Sequence, residues 1–228
     1  MRIVSLVPSV TETLTAWGRT PIACTRFCER PDLEHVGGTK DPAVARIVDL
    51  RPDLVVMDAE ENRREDYDAL NDRGLTVCVL HVRSLVDVNP SMEALALRLG
   101  VSWQTIEPGE PSLPRLRAFV PIWRRPWMAL GSPTYGSSLL AQVGVENVCE
   151  DDGAYPAVEL DEIASRRPDV VLAPSEPYPF SVRQLPELES VAPTYFVDGK
   201  DLFWWGERTR DALARVAATI ENISAARS

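Results

Sequence analysis

The chain has 228 residues, a net charge of −10 and a hydrophobic content of 45%, which fits one large globular domain or two small ones. No run approaches the roughly 18 consecutive apolar residues of a membrane span. The acidic balance disfavours nucleic acid and anionic membrane as partners. The opening MRIVSLVPS is too short to be a signal-peptide core. We therefore expect a cytoplasmic location, or a periplasmic or cell-surface one if a leader has been removed.

The cysteines and histidines lack a pattern typical of metal sites. Cys24 and Cys28 do not have zinc-knuckle spacing and have no nearby histidine pair, since the chain contains only two histidines. Cys78 lies in the apolar run LTVCVL, which predicts a buried thiol. Nothing in the spacing requires a disulfide, and this favours a reducing compartment.

In chain order, the first predicted elements are a strand at RIVSL and a helix that Ser9 or Thr11 caps and Gly18 follows. Further strands are predicted at PIACT and LTVCVL. Between them lie the helix AVARIVDLR, which Pro52 ends, and the strand DLVVM, whose continuous apolar run is typical of a central parallel strand.

The middle of the chain is predicted to connect two halves. SMEALALRLGVSWQTIE has helical spacing, but Pro108, Pro111 and Pro114 follow it. A proline inside a helix costs about 3 kcal/mol or more. We therefore expect a connecting helix that is short or broken.

The second half resembles the first. A strand at WMALG precedes a helix that Ser132 or Thr134 caps and Gly144 follows. The strands ENVC, DVVLA and PTYFVD, the helix VELDEIASRR and a final helix, GERTRDALARVAATIENISAA, complete the pattern.

A repeat at a constant offset of 116 relates the two halves. Residues 47–60 and 163–176 share Ile, Arg, Pro, Asp, Val and Glu at matching positions. Strands that alternate with helices indicate parallel α/β units. We predict an α/β fold with two similar parallel-sheet lobes, at 1–85 and 126–228, joined by a helical, proline-rich connection at 86–125.

The loops that follow the predicted strands carry the candidate site, because ligands of open parallel sheets bind at the carboxyl ends of the strands. Two lobes with facing edges would place Glu60 and Glu176 on opposite walls of one cleft. The candidate ligand-binding residues are Pro8, Ser9, Arg26, Phe27, Cys28, Glu60, Glu61, Asn62, Thr134, Tyr135, Ser175, Glu176, Tyr178, Phe180, Trp204 and Trp205.

Aromatic side chains are prominent in these loops and offer a surface for a flat ligand. Phe203, Trp204 and Trp205 are adjacent, whereas a core helix takes apolar residues at spacings of three and four. At least one of the three is therefore expected to face away from the core. For Tyr178 and Phe180 the alternative is that they cover the core of their own lobe.

Several segments resemble the class III periplasmic-binding proteins, and the vitamin B12-binding branch in particular. They are RIVSLVPSVTETL, VGGTKDP, RIVDLRPDLVV, GVENV and YPAVELDEIASRRPDVVLAPSEP. The resemblance covers nearly the whole chain and implies a solute-binding protein of an ABC importer. It implies a ligand such as cobalamin, an iron-siderophore or haem, clamped between two lobes that a long helix joins. The same loops would line the cleft.

The resemblance also implies docking to an importer through an acidic residue near the start of a helix on each lobe. The matching positions are Asp161, which is acidic, and Ala45, which is not. One of the two docking acids is thus absent.

The leading hypothesis is a binding protein without catalytic activity and without a required cofactor. Rings at Tyr135, Tyr178, Trp204 and Trp205 would stack on the ligand. His81 is a candidate axial ligand to a corrin or haem metal. The alternatives are a hydrolase that uses carboxylates of the same loops and a cytosolic module whose tryptophans bind a protein.

Overall fold

The computed structural model describes residues 1–113 and 115–227, which form two compact units. Unit 1 consists of Met1–Val82, Val86–Thr105 and Trp205–Glu207, and unit 2 consists of the other described residues. None of the described helices is long and apolar enough to cross a membrane.

Unit 1 is a five-stranded parallel sheet with helices in the crossover connections. Its strands are β1 (Ile3–Ser5), β2 (Ala23–Cys24), β3 (Glu34–His35), β4 (Leu54–Asp58) and β5 (Val77–Leu80). Its helices are α1 (Pro8–Ala16), α2 (Val44–Asp49), α3 (Arg64–Asn71) and α4 (Val88–Leu99), the last preceded by the 3-10 turn Leu85–Asp87. The strand order is β3-β2-β1-β4-β5.

Unit 2 has a four-stranded parallel sheet and a two-stranded antiparallel hairpin. The sheet contains β6 (Leu116–Phe119), β9 (Val145–Asn147), β10 (Val170–Pro174) and β11 (Thr194–Val197). Its strand order is β11-β10-β6-β9. The hairpin contains β7 (Pro121–Trp123) and β8 (Met128–Ala129). The helices are α5 (Tyr135–Gln142), α6 (Leu160–Ser165), α7 (Leu185–Leu188), α8 (Gly199–Phe203) and α9 (Thr209–Arg227), with a 3-10 turn at Glu150–Asp152.

The prediction of an α/β fold with parallel sheets in two units is confirmed, and the repeat holds residue by residue. Helices α2 and α6, and strands β4 and β10, begin and end at positions 116 apart. After each helix an arginine takes a left-handed backbone, Arg51 at φ 46° and Arg167 at φ 54°. This conformation turns the chain from the helix into the strand.

The aspartate of each Arg-Pro-Asp segment ties that turn to the neighbouring strand. Asp53 Oδ2 accepts the backbone N–H of Arg2 at 2.6 Å, and Asp169 Oδ2 accepts that of Arg117 at 2.8 Å. In return, the guanidinium of Arg2 donates to the carbonyl of Leu50. Arg117 donates in the same way to the end of α6. The matched spacing of the two Arg-Pro-Asp segments therefore gives each unit the same aspartate-to-N–H bond at the start of a strand, a strand-start clamp.

The predicted connection at 86–125 was wrong in one respect. Strand β6 lies inside that range and pairs with both β9 and β10 within the sheet of unit 2. The predicted WMALG strand instead forms β8 of the hairpin. The helix at SMEALALRLGVSWQTIE ends early, because Gly100 takes a left-handed backbone (φ 63°) as its C-cap. Pro114, one of the prolines in the prediction, lies outside the described residues.

Helix capping was predicted correctly for one helix of the two. Thr134 caps α5 by accepting the N–H of Ser137 at 3.2 Å. Helix α1 has no side-chain cap; it starts with Pro8 in the first turn, where the missing N–H costs nothing. Thr11 donates instead to the hydroxyl of Ser5 at 2.8 Å.

Each sheet is buried against its own helices. Unit 1 has a core formed by Val4, Leu6, Ala23, Val36, Ile47, Val55, Met57 and Leu70. The core of unit 2 includes Phe119, Ile163, Val171, Ala173, Phe180 and Leu188. Cys78, predicted to be buried, is partly exposed, because β5 is the edge strand of its sheet.

We predict that Asp169→Ala lowers the free energy of unfolding by about 1.5–3 kcal/mol, the usual contribution of a hydrogen bond to a charged group. The change leaves the N–H of Arg117 without its acceptor. Urea unfolding followed by circular dichroism measures the effect. The matched control is Asp151→Ala at an exposed aspartate, which should change stability by less than about 0.5 kcal/mol. Equal stability of the two variants would contradict the clamp.

Candidate functional site

In unit 1, three of the predicted loops leave neighbouring strands. Strands β2, β1 and β4 are adjacent in the sheet, so the loops that follow them start side by side. The loops also bond to each other. Thr11 Oγ1, in α1, donates to Cys28 Sγ at 3.2 Å, and Asn62 Nδ2 donates to the carbonyl of Leu6 at 3.2 Å. The structure therefore brings the predicted residues of unit 1 together at one edge of the sheet.

The loop after β4 is held from within by Asp58 and Asn62. Asp58 Oδ1 accepts the N–H groups of Glu60 at 2.9 Å and Glu61 at 3.1 Å. Asn62 is buried and accepts the N–H of Asp58 at 2.8 Å. Asn62 is thus a structural residue, while Glu60 and Glu61 are partly exposed on the turn that it fixes.

The VGGTKDP segment supports the same loop. Asn62 Nδ2 donates to the carbonyl of Thr39 at 2.9 Å, and Lys40 Nζ donates to the carbonyl of Glu60 at 2.7 Å. Gly37 has φ 92°, and a Cβ there would lie 2.4 Å from the carbonyl oxygen of Asp41. This tight turn therefore requires glycine.

Two buried polar atoms at this edge have no hydrogen-bond partner among the described residues. They are Ser9 Oγ, in the first turn of α1, and Asp58 Oδ2, at the end of β4. Burial raises the pKa of the Asp58 carboxyl, although the N–H groups of Glu60 and Glu61 act in the opposite direction. An unpartnered buried carboxylate oxygen costs stability unless something binds it.

The loop after β2 contains an exposed arginine in an ion pair, an exposed aromatic ring and a buried thiol. Arg26 forms a bidentate, exposed ion pair with Asp41 at 3.0 and 3.1 Å. Its guanidinium carbon lies 4.8 Å from the ring centroid of Phe27, which is exposed. Cys28 is buried. Arg26 and Phe27 are therefore the well-exposed groups of this loop, whereas Cys28 keeps only 4% of its surface exposed.

In unit 2, the loops after β10 and β11 are packed tightly against each other. Ser175 Oγ accepts the N–H of Gly199 at 2.9 Å. A Cβ at Gly199 would lie 2.6 Å from the backbone nitrogen and oxygen of Glu176, so only glycine permits this approach. The start of α5 adjoins the end of α8, where a Cβ on Gly136 would lie 2.6 Å from the carbonyl oxygen of Leu202.

Trp204 lies at the C-terminal end of α8 and is partly exposed. Its ring centroid is 5.0 Å from Lys200 Nζ and 5.7 Å from the guanidinium carbon of Arg208. Arg208 is held there by the buried carboxylate of Asp201, at 2.8 Å. Unit 2 thus offers an aromatic ring with two cations beside it.

The hairpin of unit 2 contributes two tryptophans, Trp123 and Trp127, to the candidate site. Neither was predicted from the sequence. Trp123 packs edge-on against Tyr178 with ring centroids 5.6 Å apart, and Tyr178 contacts Phe180 at 4.7 Å. Phe180 stacks on Trp127 at 6.0 Å. The RRPW turn between two apolar strands was the available signal, but residues 86–125 had been assigned to a connection.

Three of the predicted aromatic residues are buried. Tyr135 is only 4% exposed and donates its hydroxyl hydrogen to Thr209 Oγ1 at 3.1 Å. Phe180 belongs to the core of unit 2, and Trp205 is 4% exposed. The expectation that Tyr135 and Trp205 present their rings for stacking is therefore corrected. Tyr178 and Trp204 are partly exposed. The exposure of Trp204 agrees with the expectation that at least one of Phe203, Trp204 and Trp205 faces away from a core.

The remaining predicted residues have local roles. Pro8 starts α1 and Thr134 caps α5. His81 is exposed just beyond the end of β5. Among the described residues, no group of three or more metal-ligating side chains is present. The expected placement of Glu60 and Glu176 on opposite walls of a cleft stays a prediction.

We predict that Asp58→Asn raises stability at neutral pH, because the amide keeps the oxygen that accepts two N–H groups and carries no charge. The pKa of Asp58 is raised in the folded state, so the folded protein binds the proton more tightly than the unfolded chain does. Wild-type stability therefore falls as pH rises through the folded pKa. The advantage of Asp58→Asn should be full above that pKa and vanish below the ordinary value of 3.8.

Urea unfolding of wild type and Asp58→Asn between pH 3 and pH 8 measures this difference. Asp151→Asn, at an exposed aspartate, serves as the control. Its stability relative to wild type should not increase as the pH rises. An Asp58→Asn variant that is less stable than wild type at pH 8 would show that the carboxylate is stabilised by its site.

No family model matches the chain, but curated proteins similar to it share one name. The vitamin B12-binding protein of Vibrio vulnificus (strain CMCP6) is 23% identical over 190 residues, which cover 75% of this chain and 70% of that protein. The vitamin B12-binding protein of Pectobacterium carotovorum subsp. carotovorum (strain PC1) is 24% identical over 198 residues, with coverages of 77% and 72%.

Solved structures share the fold over nearly the full chain. The periplasmic vitamin B12-binding protein BtuF of Vibrio cholerae has a TM-score of 0.77 and 19% identity, with coverage of 98% of this chain and 97% of that one. The periplasmic haem-binding protein BhuT, in complex with two haems, has the same TM-score and identity, with coverage of 98% of each chain. The chain has the fold of the class III periplasmic-binding protein family and is similar in sequence to its vitamin B12-binding branch.

Proposed function

We propose that the chain is a solute-binding protein for a cobalamin-like corrinoid or another bulky metal chelate, such as haem or an iron-siderophore. One observation carries the proposal. Partly exposed aromatic rings, Tyr178 and Trp204, stand in the segments that follow the neighbouring parallel strands β10 and β11. This fold is shared with proteins named for vitamin B12 and haem binding.

The chemistry of unit 2 supports a ligand with a flat conjugated ring and polar substituents. Aromatic rings prefer offset or edge-on stacking, which contributes about 0.5–1.5 kcal/mol beyond the burial of area. Lys200 and Arg208 beside Trp204 suit carbonyl or carboxylate groups at the periphery of such a ring. Trp123, in contact with Tyr178 and 45% exposed, extends the aromatic surface.

The chemistry of unit 1 supports contacts with polar groups of the ligand. Arg26, Glu60 and Glu61 lie on adjacent loops whose backbone N–H groups are held by hydrogen bonds, that of Arg26 by the carbonyl of Gly37 and those of Glu60 and Glu61 by Asp58. Side chains on a rigid support lose less conformational freedom on binding than side chains on a free loop. Unit 1 accordingly offers polar side chains to a ligand, and unit 2 offers aromatic ones.

We also propose a transport role, with an ABC importer as the partner and the periplasm or cell surface as the location. The proteins similar to this chain include periplasmic binding proteins and an ABC transporter substrate-binding protein of Listeria monocytogenes. Asp161 is exposed in the first turn of α6, and Ala45 is exposed at the matching place in α2. Docking would therefore use an acidic residue on unit 2 and other contacts on unit 1.

The non-catalytic nature of the protein is part of the proposal. The proteins similar to it are named for binding. No cofactor is required for the proposed role, and cobalamin or an iron chelate enters as cargo. His81, exposed just beyond β5, remains the candidate axial ligand for a chelated metal.

The test is a titration of the purified full chain with cyanocobalamin, haemin and a ferric siderophore, followed by tryptophan fluorescence and by visible absorbance. We expect saturable binding of at least one of the three at a ratio of one ligand to one chain. A change in the visible spectrum would report direct coordination of the metal by the protein. Failure of all three ligands to bind the folded chain would overturn the proposal.

We predict that replacing Trp204 lowers ligand affinity, whereas replacing the adjacent Trp205 lowers stability. Trp204→Ala should weaken binding of the ligand at least tenfold, about 1.4 kcal/mol, with little change in melting temperature, because Trp204 is partly exposed. Trp205→Ala should lower the free energy of unfolding by about 3–5 kcal/mol, the usual cost of removing a buried tryptophan.

Two controls separate stacking from a general effect of substitution. Trp204→Phe keeps an aromatic face and should retain most of the affinity. Phe196→Ala removes an exposed ring on β11 that is outside the candidate set and should leave the affinity unchanged. Normal ligand affinity in Trp204→Ala would show that this ring does not contact the ligand.

A further inference from the structure

Two cysteines of unit 1 lie together in a way that the proposed function does not use. Cys24 is the last residue of β2 and pairs with Ser5 of the central strand β1. Cys28 follows after a turn in which its N–H donates to the carbonyl of Thr25 at 3.1 Å. The turn returns the chain onto the strand end. Thr11 Oγ1 lies 2.8 Å from Ser5 Oγ and 3.2 Å from Cys28 Sγ, so the Cys28 sulfur lies on the face of the sheet to which Ser5 and its strand partner Cys24 both point.

Two threonine hydroxyls complete the surroundings of the Cys28 sulfur. Thr11 Oγ1 donates to Cys28 Sγ at 3.2 Å, and Thr25 Oγ1 lies 3.1 Å from the same sulfur. Each hydroxyl carries one hydrogen, and the hydroxyl of Thr11 also has Ser5 Oγ at 2.8 Å and the carbonyl of Val7 at 3.1 Å as acceptors. Hydrogen bonds of this kind stabilise a thiolate more than a thiol.

The electrostatics of the pair follow from this geometry. The hydrogen bond from Cys24 is the largest cause that lowers the pKa of Cys28, and the hydrogen bonds from Thr11 and Thr25 act in the same direction against burial. The same contact with Cys28, together with burial, raises the pKa of Cys24. Cys78, by contrast, has a pKa that burial raises. The lowered pKa of Cys28 therefore favours Cys28 over Cys24 as the attacking thiol.

Access to Cys28 runs through the loop that carries it. The loop side chains Arg26, Phe27 and Glu29 are exposed, whereas Cys24 has no exposed surface. Cys28, at 4% exposure, is the nearer of the two thiols to solvent. An external disulfide is thus expected to meet Cys28 first.

We propose that Cys24 and Cys28 form a reversible intrachain disulfide by exchange with a low-molecular-weight disulfide such as glutathione disulfide. The Cys28 thiolate attacks one sulfur of the external disulfide, forms a mixed disulfide and releases one external thiolate. Cys24 then gives up its proton and attacks Cys28 Sγ, which releases the second external thiol. Two protein thiols are oxidised, one external disulfide is reduced to two thiols, and no other reactant is needed.

The sequence supplies a direct assay, because trypsin cleaves between the two cysteines after Arg26. The reduced full chain is equilibrated with mixtures of reduced and oxidised glutathione, quenched with acid, alkylated and digested. We expect peptides 20–26 and 27–40 joined by a disulfide under oxidising mixtures, with Cys78 and Cys149 alkylated. Dithiothreitol should separate the joined peptides. Alkylation of all four cysteines at every glutathione ratio would overturn the proposal, as would a disulfide that joins other cysteines.

Variants test the assigned order of attack. Cys24→Ser removes the resolving thiol and should trap Cys28 as a stable mixed disulfide with glutathione, whereas Cys78→Ser should leave the joined peptides unchanged. In wild type, the pH at which alkylation of Cys28 is half-maximal should lie below that of Cys78. A midpoint for Cys28 above that of Cys78 would overturn the role of Cys28 as nucleophile. None of these readouts depends on whether the protein binds cobalamin.

Discussion

The start of the first strand in each sheet depends on one carboxylate. Asp53 in unit 1 and Asp169 in unit 2 accept the backbone N–H at the beginning of the neighbouring strand. The aspartate follows the end of a helix, α2 or α6, and begins the segment that leads into β4 or β10. Its bond therefore sets the register in which β4 pairs with β1 and β10 pairs with β6. Because the loops at the opposite end of the strands inherit this register, the placement of the candidate ligand contacts follows from it. Two such clamps 116 residues apart make the halves of the chain alike.

The repeat explains why much of the fold could be predicted from sequence. Pro52 and Pro168 mark helix ends, and the apolar runs after them are long enough to be read as central strands. The strand β6 could not be read in this way, because LRAF is short and follows several prolines. Its pairing with β9 and β10 comes from tertiary contacts that no local pattern reports.

The candidate site was predictable by position but not by exposure. Post-strand loops are recognisable from the strands that precede them, so Arg26, Glu60 and Trp204 could be named. Which ring points to solvent depends on partners far away in sequence. Tyr135 is buried against Thr209, and Phe180 is buried against Trp127. The proximity of two cysteines was missed for the same reason, since a turn of unknown shape separates them.

The two sheets are similar in backbone and different in the chemistry of their loops, and this difference is the strongest clue to the kind of ligand. The loops of unit 1 are fixed by buried polar side chains such as Asp58 and Asn62. Those of unit 2 are fixed by the close approach of Gly199 to Glu176 and carry aromatic rings. Polar substituents suit the side chains of unit 1 and a conjugated ring suits those of unit 2. The ligand class that we propose therefore matches the chemistry of each unit taken separately.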